Sequence, residues 1–144
     1  MRYAYPYVLT EEGGFWMARC PDVRGAATDD REKAEAVSEL PDALVAALGA
    51  VMELGQPIPI PGSACPPGQV ITLPPLAAAK LALYETMRAR GMNNSELARQ
   101  LGLQENAVRR LLDLDHRSHI DSVQEALAVL GRRLVVEDVP LNAA

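Results

Sequence analysis

The stretch NNSELARQLGLQENAVRRLLD, residues 93–113, sets amide and guanidinium side chains at helical spacing. If the segment after Gly102 is a helix at about 100° per residue, Ala107, Val108, Leu111 and Leu112 fall within about 70° of one direction. Glu105, Asn106, Arg109, Arg110 and Asp113 fill the opposite arc, and Gln104 stands at its leading end. In a DNA major groove, arginine pairs with guanine, and asparagine or glutamine with adenine. The first residues of the second helix of a helix-turn-helix meet those base edges. Candidate DNA contacts are therefore Asn94, Ser95, Gln104, Glu105, Asn106, Arg109 and Arg110. A purely structural helical hairpin would supply the leucines but would seldom combine small Ala98, turning Gly102 and Val108. Arg109 and Arg110 alone would say little, because exposed arginines are usually only solvated.

Other chemistries find less support. Metal-dependent nuclease chemistry needs several carboxylates converging on two cations. The run YAYPYVLT offers none, and Asp22, Asp29 and Asp30 sit where turns and helix starts use aspartate as a cap. No enzyme is expected. His116 and His119 could face one way on a helix, but no further ligands stand at metal-binding spacing. Neither a metal nor a cofactor is expected. Cys20 and Cys65 form no disulfide framework or zinc site by spacing, and both read as small buried or neutral residues. Tyr3, Tyr5 and Tyr7 could stack single-stranded RNA, but their acidic surroundings favour core packing or contact with a protein partner.

The elements that must position these residues divide into two modules. The chain of 144 residues is 49% hydrophobic and 23% charged, the composition of a folded globular protein. No apolar run approaches the roughly 20 residues of a membrane span, and MRYAYPYVLTEEGG lacks the pattern of a secretory signal. A cytoplasmic location follows as the expectation. Residues 1–75 hold 5 basic and 10 acidic residues, a net −5, whereas residues 76–144 hold 9 of each. Within the second half, residues 80–117 carry 7 basic and 5 acidic residues, net +2. The acidic half should repel nucleic acid and attract a basic partner.

Pro57, Pro59, Pro61, Pro66, Pro67, Pro74 and Pro75 mark extended chain with turns over residues 56–75, between the modules. Before it, RYAYPYVLT, FWMARC and AAT read as strands, with EEGG as a hairpin turn and Pro6 as the sign of an edge or a bulge. Phe15, Met17 and Arg19 alternate with Trp16, Ala18 and Cys20. A helix is expected from a cap at Asp29, with Glu32 completing a capping box, to Gly55. Pro41 predicts a kink in it, or two helices in tandem, and Leu44, Val45, Leu48, Val51 and Met52 form its apolar stripe. QVITL adds a strand. After Pro75, Leu76, Lys80, Leu83, Tyr84 and Met87 share a helical face that ends at Gly91. Asn93 and Glu96 suit a capping box, Gly102 a positive φ, and Leu103 a plug in the turn. Ser118 with Asp121 suits the cap of a last helix, in which Ile120, Val123, Leu127 and Leu130 face inward. RRLVVEDV alternates like a strand, which needs a partner such as a symmetry mate. The fold class is α+β: a small N-terminal sheet-plus-helix module, residues 1–73, then a helical helix-turn-helix domain with a C-terminal strand, residues 76–144.

The chain resembles the HicB family of antitoxins in the form that carries a helix-turn-helix. The likeness rests on EEGGFWMARCPDVRGAATDD, EAVSELPDALVAALGAVMELG and QPIPIPG in the first module. In the second it rests on the segment from Asn93 to Leu134. The resemblance implies a partial RNase H-like fold for the first module, which would cover the active site of a small basic HicA-type toxin that cuts messenger RNA. It implies that the second module binds the operator of the pair's own operon as a homodimer or higher oligomer. Pro41 departs from the uninterrupted helix associated with the family. A ligand-sensing transcriptional repressor with no toxin partner is the rival reading.

Overall fold

Alternating strand residues open the chain and are used in two separate sheets. In the computed structural model, which describes residues 2–141, the run around Pro6 divides into β1 (Ala4–Pro6) and β2 (Val8–Glu12). Pro6 has no N–H to donate, and the ladder changes partner next to it. β1 pairs antiparallel with β5 (Val70–Thr72), and β2 pairs with β3 (Phe15–Arg19). β4 (Ala27–Asp30) completes a three-stranded sheet of order β2-β3-β4. Glu12 opposes Phe15, so the hairpin closes on Gly13 and Gly14, whose φ values of 60° and 81° a side-chain-bearing residue would resist.

A single helix, α1 (Lys33–Glu53), packs on β3 and β4. Ala36, Leu40, Leu44 and Leu48 are its buried stripe. Each buried leucine contributes about 1.5–3 kcal/mol. That packing holds the helix continuous through Pro41, so the tandem-helix alternative does not apply. The expected cap at Asp29 is also displaced. Asp29 is still in β4, opposite Met17. Glu32 is the N-cap residue and makes no side-chain cap bond. Its N–H donates instead to Asp30 Oδ1 at 2.7 Å, while Thr28 ties the sheet to the helix by donating to the Ala36 carbonyl at 2.5 Å.

The proline-rich stretch is stitched to this first unit. Ile58 is buried. Tyr5, fully buried, donates its hydroxyl to the Pro59 carbonyl at 2.8 Å. Asp22 accepts from the backbone N–H groups of Gly62 and Ser63, each at 3.1 Å, and from the Ser63 hydroxyl at 2.5 Å. Tyr5 and Tyr7 are thus core residues. Two compact units result among the described residues: 2–74 with 138–141, and 75–137.

The second unit holds α2 (Pro75–Ala89), α3 (Asn94–Leu101), α4 (Glu105–Leu112) and α5 (Ile120–Val129). Its core joins Leu83 and Met87 of α2, Leu97 and Ala98 of α3, Val108 and Leu111 of α4, and Val123, Leu127 and Leu130 at and after α5. Ala98, 4% exposed, leaves room for α3 to lie close to its neighbours. Ile120 stays exposed, against expectation, because it is the first residue of α5 and precedes the turn that packs. Residues 132–139, read as a last strand, make no ladder with any described strand in the single chain. Leu134 is held by its N–H, which donates to Gln124 Oε1 at 2.7 Å.

Candidate nucleic-acid interface

The exposed arc is built on a helix, a tight turn and a second helix. Asn93 caps α3: its side chain accepts from the Glu96 N–H at 2.9 Å, and Glu96 returns a bond to the Asn93 N–H at 3.0 Å. This reciprocal capping satisfies two donors that would otherwise lack partners. Gly102 ends α3 with φ 66°, the left-handed conformation in which a Cβ is strained. Leu103 does not plug the turn. It is 47% exposed, while Val108 and Leu111 do the burying.

The turn is closed by side chains as well. Ser95 donates to Glu105 Oε2 at 3.1 Å, and Arg109 donates to Glu105 Oε1 at 2.8 Å. Hydrogen bonds from Arg109 and Ser95, with the charge of Arg109, hold the Glu105 carboxyl below the usual carboxylate range. Glu105 is thus engaged within the protein. Asn106, Arg109 and Arg110 are exposed on α4 and Gln104 is exposed at its N-cap, with Ser95 exposed and Asn94 half-buried at the head of α3. Among the described residues the Arg110 side chain makes no hydrogen bond or ion pair. Of the sequence-predicted residues, Ser95, Glu105 and Arg109 are joined by hydrogen bonds, while Gln104, Asn106 and Arg110 stand exposed beside them in the chain.

The helical face shared by Leu76, Lys80, Leu83, Tyr84 and Met87 gives no sign of what Lys80 does. Lys80 of α2 is completely buried. Its ammonium donates to the carbonyls of Arg110 at 2.8 Å, Asp113 at 2.6 Å and His116 at 2.8 Å, and to Ser118 Oγ at 2.9 Å. Burial pushes its pKa below the usual lysine value, and nearby Asp113 pulls it back up. The same arrangement corrects the reading of Ser118. It does not cap α5, whose N-cap is His119 with no side-chain cap bond; it donates to the Arg110 carbonyl at 3.2 Å. His116 lies before α5 with its Nδ1 3.0 Å from Ser118 Oγ, so His116 and His119 do not share a helical face. Among the described residues no group of three or more histidine, cysteine or acidic side chains could hold a metal ion.

A different surface is open on the first unit. Paired strand residues share a face, and the register puts Val8, Thr10 and Glu12 with Phe15, Met17 and Arg19, and with Ala27 and Asp29. The opposite face carries Trp16, Ala18 and Thr28, and buried Ala18 and the Thr28 bond mark it as the one under α1. Phe15 and Met17 on the uncovered face are 43% and 46% exposed. The Arg31 guanidinium lies 5.4 Å from the Phe15 ring centroid.

The chain thus holds a mixed sheet-and-helix unit and a helical unit whose third helix, α4, carries exposed polar residues. Comparison with known proteins gives its class. The family described as "HicB_like antitoxin of bacterial toxin-antitoxin system" matches residues 2–82. The chain is 34% identical over 135 residues to Antitoxin HicB 2 of Photorhabdus laumondii subsp. laumondii, covering 93% of this chain and 94% of that one. It is 37% identical over 132 residues to Antitoxin HicB of Pseudomonas fluorescens, covering 90% and 88%. To Antitoxin HicB of Escherichia coli K12 it is 32% identical over 134 residues, covering 93% and 96%. The chain belongs to the HicB antitoxin family, whose members are antitoxins and not enzymes. No helix of the described residues is long and apolar enough to cross a membrane.

Proposed function

We propose that this antitoxin blocks a HicA-type, mRNA-cleaving toxin through residues 1–73 and represses its own operon through a helix-turn-helix formed by α3 and α4. The observation that carries the reading is the pairing in one chain of two things. One is a family match on residues 2–82; the other is a second unit in which Gln104, Asn106, Arg109 and Arg110 are all exposed on and just before α4. The uncovered face of β2-β3-β4 supports toxin docking: it has an apolar centre at Phe15 and Met17 and a rim of Glu12, Arg19 and Asp29. The acidic surplus of residues 1–75 suits capture of a basic, RNA-binding partner. Self-association runs through residues 132–139, where Val135 and Val136 stand 86% and 70% exposed on unpaired chain. Repression of an operon places the protein in the cytoplasm.

The test is coexpression with the protein encoded by the neighbouring gene, followed by an RNA-cleavage assay. A copurifying small basic protein that cuts RNA alone, and stops doing so when this chain is added, supports the reading. A bound metabolite in place of a protein partner, or unimpeded cleavage, contradicts it. In the same preparation, deletion of residues 132–144 lowers the sedimentation mass; an unchanged mass removes that segment from the interface.

A further inference from the structure

The Lys80 bond set reaches beyond packing. α4 has eight residues, and its N-cap, Gln104, supplies no side-chain cap bond. A helix that short is not stable by itself in water and takes its position from what holds its ends. The last carbonyls of any helix lack intrahelical donors and attract cationic ones. Here the donor is a buried ammonium carried by α2, whose neighbours Ala79 and Leu83 belong to the core of the unit. It holds the carbonyl of Arg110 itself, together with those of Asp113 and His116 in the connection to α5. Three ammonium protons serve four acceptors, so one is shared. Ser118 donates to the same Arg110 carbonyl from the far side of that connection.

We propose that Lys80 is a positioning residue for DNA recognition, fixing the C-terminal end of α4 and thereby the direction in which Arg110 leaves the helix. This rests on the reading of α3 and α4 as a helix-turn-helix. Arg110 has a long side chain, so a small rotation of its backbone displaces the guanidinium widely. A base edge accepts a bidentate arginine in a narrow range of geometries, whereas a phosphate accepts a point charge from many directions. Loosening the Lys80 anchor therefore harms sequence discrimination more than grip. Simple loss of folded protein would instead weaken both alike.

The experiment is a fluorescence-anisotropy titration of the full chain on a duplex of its own promoter region and on a random duplex of equal length. Lys80→Met keeps the length and apolar stem of the side chain and removes the ammonium. Its affinity for the promoter duplex falls about tenfold, with a loss of about twofold or less on random DNA. Ser118→Ala, which keeps Lys80, shows the same asymmetry at about threefold. Where circular dichroism shows that Lys80→Met has lost helix, Ser118→Ala decides alone. Equal losses on both duplexes, or none, overturn the positioning role while leaving the DNA reading intact. A wild-type chain with no preference for the promoter duplex overturns the DNA reading itself.

Discussion

Ser95 and Glu105 close the turn between α3 and α4, the serine hydroxyl donating to the carboxylate at 3.1 Å. Because Arg109 occupies the other oxygen at 2.8 Å, the first acidic residue of α4 shields one of its two arginines. The pair is exposed, so it adds little stability, but its charge lies where DNA phosphates would approach. Glu105→Gln removes that negative charge and frees Arg109. Affinity for random DNA rises about threefold, and the slope of log affinity against log salt steepens by about one. Salt titrations of both proteins on a random duplex check this; an unchanged slope would show that Arg109 remains away from the DNA.

Met17 stands on the uncovered face of the sheet, opposite Thr10 and Asp29. Met17→Glu places a charge at the apolar centre of the surface assigned to the toxin. At 46% exposure the site accepts glutamate with little effect on folding. Inhibition of toxin cleavage weakens at least tenfold, as loss of a central interface side chain can cost 2 kcal/mol or more. DNA binding by the same protein stays at the wild-type level. Undiminished inhibition moves the docking surface elsewhere on the first unit.

Asp22 links the turn after β3 to Gly62 and Ser63, 40 and 41 positions along the chain. Burial acts to raise its pKa, but the Ser63 side chain and the Gly62 and Ser63 N–H groups outweigh it and leave the value lowered. A carboxylate with a depressed folded pKa stabilises above its unfolded pKa, and that contribution is lost as pH falls through the folded value. Asp22→Asn therefore lowers the melting temperature at neutral pH, and the gap to wild type closes in acid. Thermal scans across that range check it; a gap that persists unchanged in acid means the carboxylate charge is not what holds the loop.

Local devices were legible in the sequence. The Asn93–Glu96 capping box, Gly102 at positive φ and the inward Leu97, Val108 and Leu111 depend on neighbours within a few residues, and all appear as read. What was not legible depends on chain brought together from a distance. Lys80 reads only as part of a helical face, but its four acceptors are set by where the end of α4 and the connection after it fold, 30 to 38 positions later. That same demand takes Ser118 away from the α5 cap. Asp22 looks like a turn cap until Ser63 is folded back on it. The displaced cap of α1 has a similar cause: pairing with β3 extends β4 through Asp29 and Asp30, so the helix starts later than its capping residues suggest.

The account turns on the exposed arc of α4 reading DNA while the first unit holds the toxin, and Arg110→Ala separates the two most directly. The measurement is the ratio of affinities for the promoter duplex and a random duplex, taken on protein first confirmed to inhibit the toxin normally. Each good base contact is worth about 1–3 kcal/mol of discrimination, so promoter affinity falls about tenfold or more, with a much smaller loss on random DNA. Equal losses on the two duplexes would reduce Arg110 to a backbone grip, and no loss on either would contradict the assignment of α4 as the reading helix.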